Sequence, residues 1–144
     1  MYAESTVILS IIDDRILLVD SSGVVTLETL LHINEAILLS LAHTQEPLHI
    51  IYNDVNMSGF GTDINTLTRA SSYLMHPKMG ICVAMRSTNL VAFMRRLTCK
   101  LLTTSRPHTV HTLEEALNLL RRMDDTLPHQ AQFASHILCA KIFH

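Results

Sequence analysis

A chain of 144 residues, 48% apolar and 17% charged, fits one domain that buries a core without disulfide or metal staples, and this composition excludes disorder. A net charge of −2, from 11 basic and 13 acidic side chains, argues against bulk attraction to nucleic acid. The 3 cysteines (Cys82, Cys99 and Cys139) are widely spaced and form no CxxC pair, so neither structural zinc nor a redox dithiol is signalled.

In chain order, residues 6–12 are rich in β-branched side chains and predict a strand. Asp13-Asp14 predicts a turn into a second strand over 15–19, a hairpin by its short connection. Ser21-Ser22-Gly23 breaks the pattern, and Val24-Val25 briefly resumes it. Thr26 is placed to cap a helix with Glu28 in its first turn, and Leu27, Leu30, Leu31, Ile37, Leu38 and Leu41 recur at helical spacing. Residues 48–52 form a short apolar strand. A tight Ser58-Gly59-Phe60-Gly61 turn follows, and Thr62 and Asp63 offer helix-starting chemistry. Ile64, Leu67, Ala70, Leu74 and Met75 make one helical stripe, ended by His76-Pro77.

Residues 80–85 read as a strand buried on both faces, as in a parallel sheet. Cys82 lies in this run and reads as a small core residue. Leu90, Phe93, Met94, Leu97 and Leu101 predict the buried stripe of the next helix, with Arg95, Arg96 and Lys100 on its solvated side. Residues 107–111 are extended. Thr112 and Glu115 then form a capping box before a helix lined by Leu113, Ala116, Leu117, Leu120 and Met123. The order β-β-α-β-α-β-α-β-α predicts a single-domain α/β layer fold, a mostly parallel or mixed sheet with helices packed on it. Asp124-Asp125 and Pro128 close that domain, taken as residues 1–126. The tail, 127–144, carries Phe133, Ile137, Leu138, Ala140 and Ile142 as one helix face. That face packs on its own domain or forms a homodimer interface.

This pattern resembles a STAS-like domain of the SpoIIAA-like (STAS/SEC14-like) bacterial family, related to the anti-sigma factor antagonists. The resemblance spans about residues 5–124. It rests on Ile16-Leu-Leu-Val-Asp-Ser-Ser-Gly-Val-Val-Thr-Leu-Glu28, on residues 49–61, on His76-Pro77-Lys78-Met79-Gly80 and on His111-Thr-Leu-Glu-Glu-Ala-Leu117. It implies a module that is not an enzyme and needs no cofactor, acting through protein contact. In anti-sigma factor antagonists the serine before the glycine of an Asp-Ser-Ser-Gly turn is phosphorylated by a partner kinase. Ser58 matches that serine, Gly59 the glycine, and Phe60-Gly61 the pair after it. Asn56 and Met57 stand where the family pattern has aspartate and serine. The SEC14-like comparison implies instead a small hydrophobic ligand or lipid.

The residues themselves supply no competing chemistry. Ser58 lacks the G-x-S-x-G elbow of a hydrolase, and Gly59-Phe60-Gly61-Thr62 lacks the lysine of a phosphate-cradling loop. The 9 histidines form no metal-ligand spacing. Arg86, Arg95, Arg96, Lys100 and Arg106 could face an anionic partner, or simply be solvated. The methionines read as core filler or a soft pocket wall. No apolar run reaches the ~20 residues of a membrane span, and the amino terminus lacks a signal peptide's basic flank. The expectation is a cytoplasmic, non-enzymatic regulatory or protein-interaction module that binds a protein partner and no nucleic acid. Asn56, Met57, Ser58, Gly59, Phe60 and Arg86 are its contact candidates, with Ser58 as phosphorylation candidate. A binder of a hydrophobic ligand or lipid is the alternative.

Overall fold

The computed structural model describes residues 4–12, 15–103 and 107–128, and the strand backbone of 136–142. The elements are β1 (Ser5–Ile12), β2 (Ile16–Val25), α1 (Leu27–His43), β3 (Leu48–Phe60), α2 (Ile64–Arg69) and a 3-10 turn (Ser72–Met75). β4 (Met79–Met85), α3 (Asn89–Thr103), β5 (His108–Val110), α4 (Leu113–Met123) and β6 (His136–Ile142) follow. The α/β alternation read from the sequence is the observed one. The sheet runs β5-β4-β3-β2-β1-β6. Strands β2 to β5 are parallel, and β1 is antiparallel to both β2 and β6.

Strand alternation sorts the core into two layers. Leu17, Val19, Ile50 and Tyr52 face Ile33, Ile37, Leu41 and Cys99, so α1 and α3 cover one side of the sheet. Ile16, Leu18, Ile51 and Val83 face Ala116, Leu117 and Leu120, so α4 covers the other. Leu127 is buried in this second layer. Each such side chain is worth roughly 1.5–3 kcal/mol when fully buried.

Helix starts use the expected residues. Thr26 Oγ1 accepts from the Thr29 N–H, and the Glu4 carboxylate accepts from the Thr26 N–H at 2.9 Å and from Thr29 Oγ1 at 2.7 Å. Asp63 accepts from the Thr66 N–H at 2.8 Å, a bond that holds its carboxyl below the ordinary range. Thr112 accepts from the Glu115 N–H, while the Glu115 carboxylate reaches back to the His111 N–H, both at 3.1 Å.

Four expectations change. Strand β2 does not break at Ser21-Ser22-Gly23, because the two hydroxyls pair across the hairpin with Thr6 and Ser5, and Gly23 takes a left-handed φ of 70° within the strand. Strand β3 does not stop at Tyr52. It pairs with β2 as far as Phe60, so Ser58 and Gly59 lie in a strand and not in a turn. The single helical stripe over 64–75 is a short α2 followed by the 3-10 turn. The helical tail is corrected too: residues 136–142 are a strand. A short apolar run does not tell helix from strand by itself, and β1 offers a sheet edge whose N–H and C=O groups need partners. The Asp13-Asp14 turn, Arg106, Phe133 and the rest of the tail lie outside the described residues.

One buried polar latch ties the amino ends of β2 and β3 to the end of α4. His49 Nε2 donates to Asp124 Oδ2 at 2.7 Å, and Arg15 donates to the same oxygen at 2.8 Å. His49 Nδ1 accepts from the Ile81 N–H at 2.9 Å, which leaves no room for a second ring proton. A Cβ on Gly80 would collide with this ring, so Gly80 is the residue that lets His49 sit flat against β4.

Burial lowers the His49 pKa below its ordinary value, despite the bond to Asp124 that favours the charged form. Burial opposes ionisation of Asp124, but bonds from Thr126 and His49 and the charge of Arg15 outweigh it and hold the carboxyl at about 2. Both groups bind fewer protons folded than unfolded, so both stabilise the fold at neutral pH and lose that contribution in acid. The His49 contribution fades as pH falls below about 6.5, and that of Asp124 fades from about 4 downward. Urea unfolding between pH 8 and 4 should show stability falling with acidification, with a shallower fall in His49→Gln below pH ~6.5. Gly80→Ala should destabilise the chain at neutral pH. A His49→Gln profile parallel to wild type would remove the latch as the cause.

Candidate functional site

The site is built on the half of β3 that outruns β4. Strand β4 last pairs with β3 at Tyr52, whereas β2 accompanies β3 to Phe60. Alternation points Tyr52 and Asp54 to the side covered by α1 and α3. Asp54 is only 1% exposed. Its carboxylate receives a two-pronged bond from Arg95 on α3, Nε to Oδ2 at 3.0 Å and Nη2 to Oδ1 at 2.8 Å. The guanidinium lies 3.9 Å over the Tyr52 ring and 5.2 Å from that of Phe60. Beneath it the hydroxyls of Tyr52 and Tyr73 meet at 2.6 Å.

These contacts satisfy a charge that would otherwise be costly to bury. Desolvation alone would lower the Arg95 pKa, but the adjacent Asp54 charge raises it, so the guanidinium stays ionised. Burial pushes both tyrosines up, so both stay as hydroxyls.

Arg95 was expected on the solvated side of its helix, and here the structure corrects the sequence reading. Val91, Arg95, Thr98 and Cys99 are the buried face of α3. The predicted core stripe is turned the other way: Leu90 is 59% exposed, Phe93 53% and Leu101 60%, while Met94 and Leu97 are half-buried. Hydrophobic spacing located the helix but not its rotation, because the ion pair under it fixes which side faces in. Phe93 and Leu97 flank a shallow groove of about 310 Å³ rimmed by Arg96 and Lys100.

The other contact candidates divide by alternation along β3. Asn56 and Ser58 are exposed, as is Arg86 after β4. Met57 and Gly59 are buried, and Phe60 is half-buried. Ser58 does not sit at a helix amino terminus: α2 begins at Ile64, and the Asp63 carboxylate already occupies its cap. Val55 and Val24, each 47% exposed, add apolar surface to the β2–β3 extension.

Two further features escaped the sequence reading. Cys82 and Cys99, far apart in sequence, are brought into hydrogen-bonding reach, which raises the first thiol's pKa and lowers the second's. They line an open groove of about 660 Å³ with Met75, Met79 and Met123. The enclosed space under α1, ringed by Leu30, Ile33, Tyr52, Met57 and Tyr73, amounts to about 10 Å³, too little for a lipid.

No protein-family model matches the sequence, and no curated protein matches it. Solved structures do. One is a protein of the DUF3478 family with a SpoIIAA-like fold from Shewanella loihica PV-4, at a TM-score of 0.62 and 12% identity over 83% of this chain and 96% of that one. Another is the anti-sigma factor antagonist SpoIIAA in its unphosphorylated form, at a TM-score of 0.51 and 15% identity over 80% of this chain and 97% of that one. The fold is thus SpoIIAA-like and STAS-like, as the sequence resemblance implied.

Breaking the Asp54–Arg95 pair tests its weight. Asp54→Ala should cost about 3–5 kcal/mol in urea unfolding, because it strands a buried guanidinium. The apolar double variant Asp54→Leu/Arg95→Met should recover most of that loss. An Asp54→Ala variant within about 0.5 kcal/mol of wild type would show that the pair does not anchor α3.

Proposed function

We propose that this SpoIIAA-like module is a non-enzymatic regulator that acts by docking a protein partner. The observation that carries this reading is the outward face of α3. Leu90, Phe93 and Leu101 stand in solvent at helical spacing, with Arg96 and Lys100 along one edge. An apolar stripe with a basic rim is the chemistry of a protein contact, and it fits the apolar face of an acidic amphipathic helix. The space under α1, only about 10 Å³, favours this reading over a hydrophobic ligand buried there.

Ser58 is the residue we assign to control of the contact. It is exposed, and it lies on the strand that carries Asp54. A phosphate there would add about −1.5 to −2 charges without having to enter the core. The solved SpoIIAA structure is of an unphosphorylated form, and the same kind of modification is our reading for Ser58. Free thiols at Cys82 and Cys99 suit a reducing compartment, so we place the protein in the cytoplasm.

The test is affinity capture from extracts of the native cells, with mass spectrometry of what is retained. A partner held by wild type should be lost with Phe93→Asp and Leu101→Asp, and its recovery should differ between Ser58→Asp and Ser58→Ala. Each substitution is on the surface and should shift stability by no more than about 0.5 kcal/mol. The same proteins retained by wild type and both α3 variants would overturn the docking face. Identical recovery for the two Ser58 variants would overturn the control.

A further inference from the structure

Successive strands β4 and β5 send their chains to opposite sides of the sheet. From β4 the chain enters α3, which packs with α1 on one side, and from β5 it enters α4 on the other. Where neighbouring parallel strands diverge in this way, a crevice opens beyond their carboxyl ends, and such crevices are where α/β sheets take ligands. Here it is a cleft of about 460 Å³. Ala84, Met85 and Thr109 form its floor, and Arg86, Asn89 and Arg96 stand around it.

Charge decides what the cleft suits. Asp54 is the carboxylate among its lining residues, and Arg95 neutralises it through two hydrogen bonds. Arg86 and Arg96 then leave a surplus of two positive charges. Among the described residues, neither makes an ion pair with a carboxylate, in contrast to Arg15 and Arg95. The amino end of α3 adds to the same field, since Thr88 caps the Val91 N–H and the helix dipole points its positive end at the cleft. Guanidinium groups match phosphate oxygens with paired hydrogen bonds, and Met85 and Pro107 give the rest of a ligand an apolar wall.

We infer that the cleft beyond β4 and β5 binds a small phosphate-bearing molecule, with Arg86 and Arg96 as its anion-holding residues. The site is separate from the α3 docking face in its ligand and in its test, although Arg96 borders both.

Calorimetric titration of the full chain at low salt, with phenyl phosphate, inorganic phosphate and phenol as probes, decides it. Phenyl phosphate should bind saturably, phenol should not, and added salt should weaken the binding. Arg86→Gln and Arg96→Gln should each weaken it about tenfold or more, with circular dichroism and thermal midpoint kept as evidence of an intact fold. Amide shifts in the NMR spectrum should centre on Met85, Arg86, Asn89 and Thr109. Inorganic phosphate binding as tightly as phenyl phosphate would identify the free ion as the ligand, and weaker binding would identify an organic phosphate. No saturation of either phosphate by about 10 mM, equal binding of phenol, or unchanged affinity in both arginine variants would overturn the proposal.

Discussion

The two-pronged bond between Asp54 and Arg95 is the constraint on which the working side of the molecule depends. An ionised pair is among the more expensive things to bury, and it is tolerated only where geometry is good and the remaining groups are satisfied. Both conditions hold here, with two short bonds, a tyrosine ring under the guanidinium and a second ring beside it. Once the pair is made, the rotation of α3 is no longer free. The helix turns Arg95 inward and Leu90, Phe93 and Leu101 outward. The same rotation brings Arg96 to the rim of the strand-end cleft. One interaction therefore sets both the surface that can hold a partner and the edge of the pocket that can hold an anion.

This arrangement also explains how far the sequence could be read. Alternation and caps located β1, α1 and α4 closely, because Thr26, Thr112 and Glu115 act through neighbours a few residues away. The layer order was legible for the same reason, since periodicity is a local property. Long-range facts were not legible. Nothing near Asp54 in sequence announces Arg95, and nothing near His49 announces Asp124. The strand over 136–142 was missed because its partner lies at the other end of the chain. Ser58 and Gly59 suggested a turn by residue type, but pairing with β2 overrode that preference.

Exposure divides the candidate contact residues. Asn56, Ser58 and Arg86 do reach the surface, whereas Met57 and Gly59, chosen for their place beside Ser58, are interior. A period of two along β3 would have separated them, had the strand been extended to Phe60. The outward stripe of α3 was visible as residues and was assigned to the wrong side. The buried arc of Val91, Arg95, Thr98 and Cys99 carried no apolar pattern to mark it.

The pairing of β6 with β1 bears on how the chain is made. Its first strand finds one of its two neighbours at once, in β2, but the other belongs to the last segment described. During synthesis β1 is made well before β6, and one flank of it stays bare until residues 136–142 leave the ribosome. Contacts that span nearly a whole chain form late and slow folding, and an uncovered strand edge is open to other nascent chains in the interval. Chaperone demand should therefore fall in the interval between the making of β1 and that of β6, a burden set by topology and not by the stability of the finished sheet.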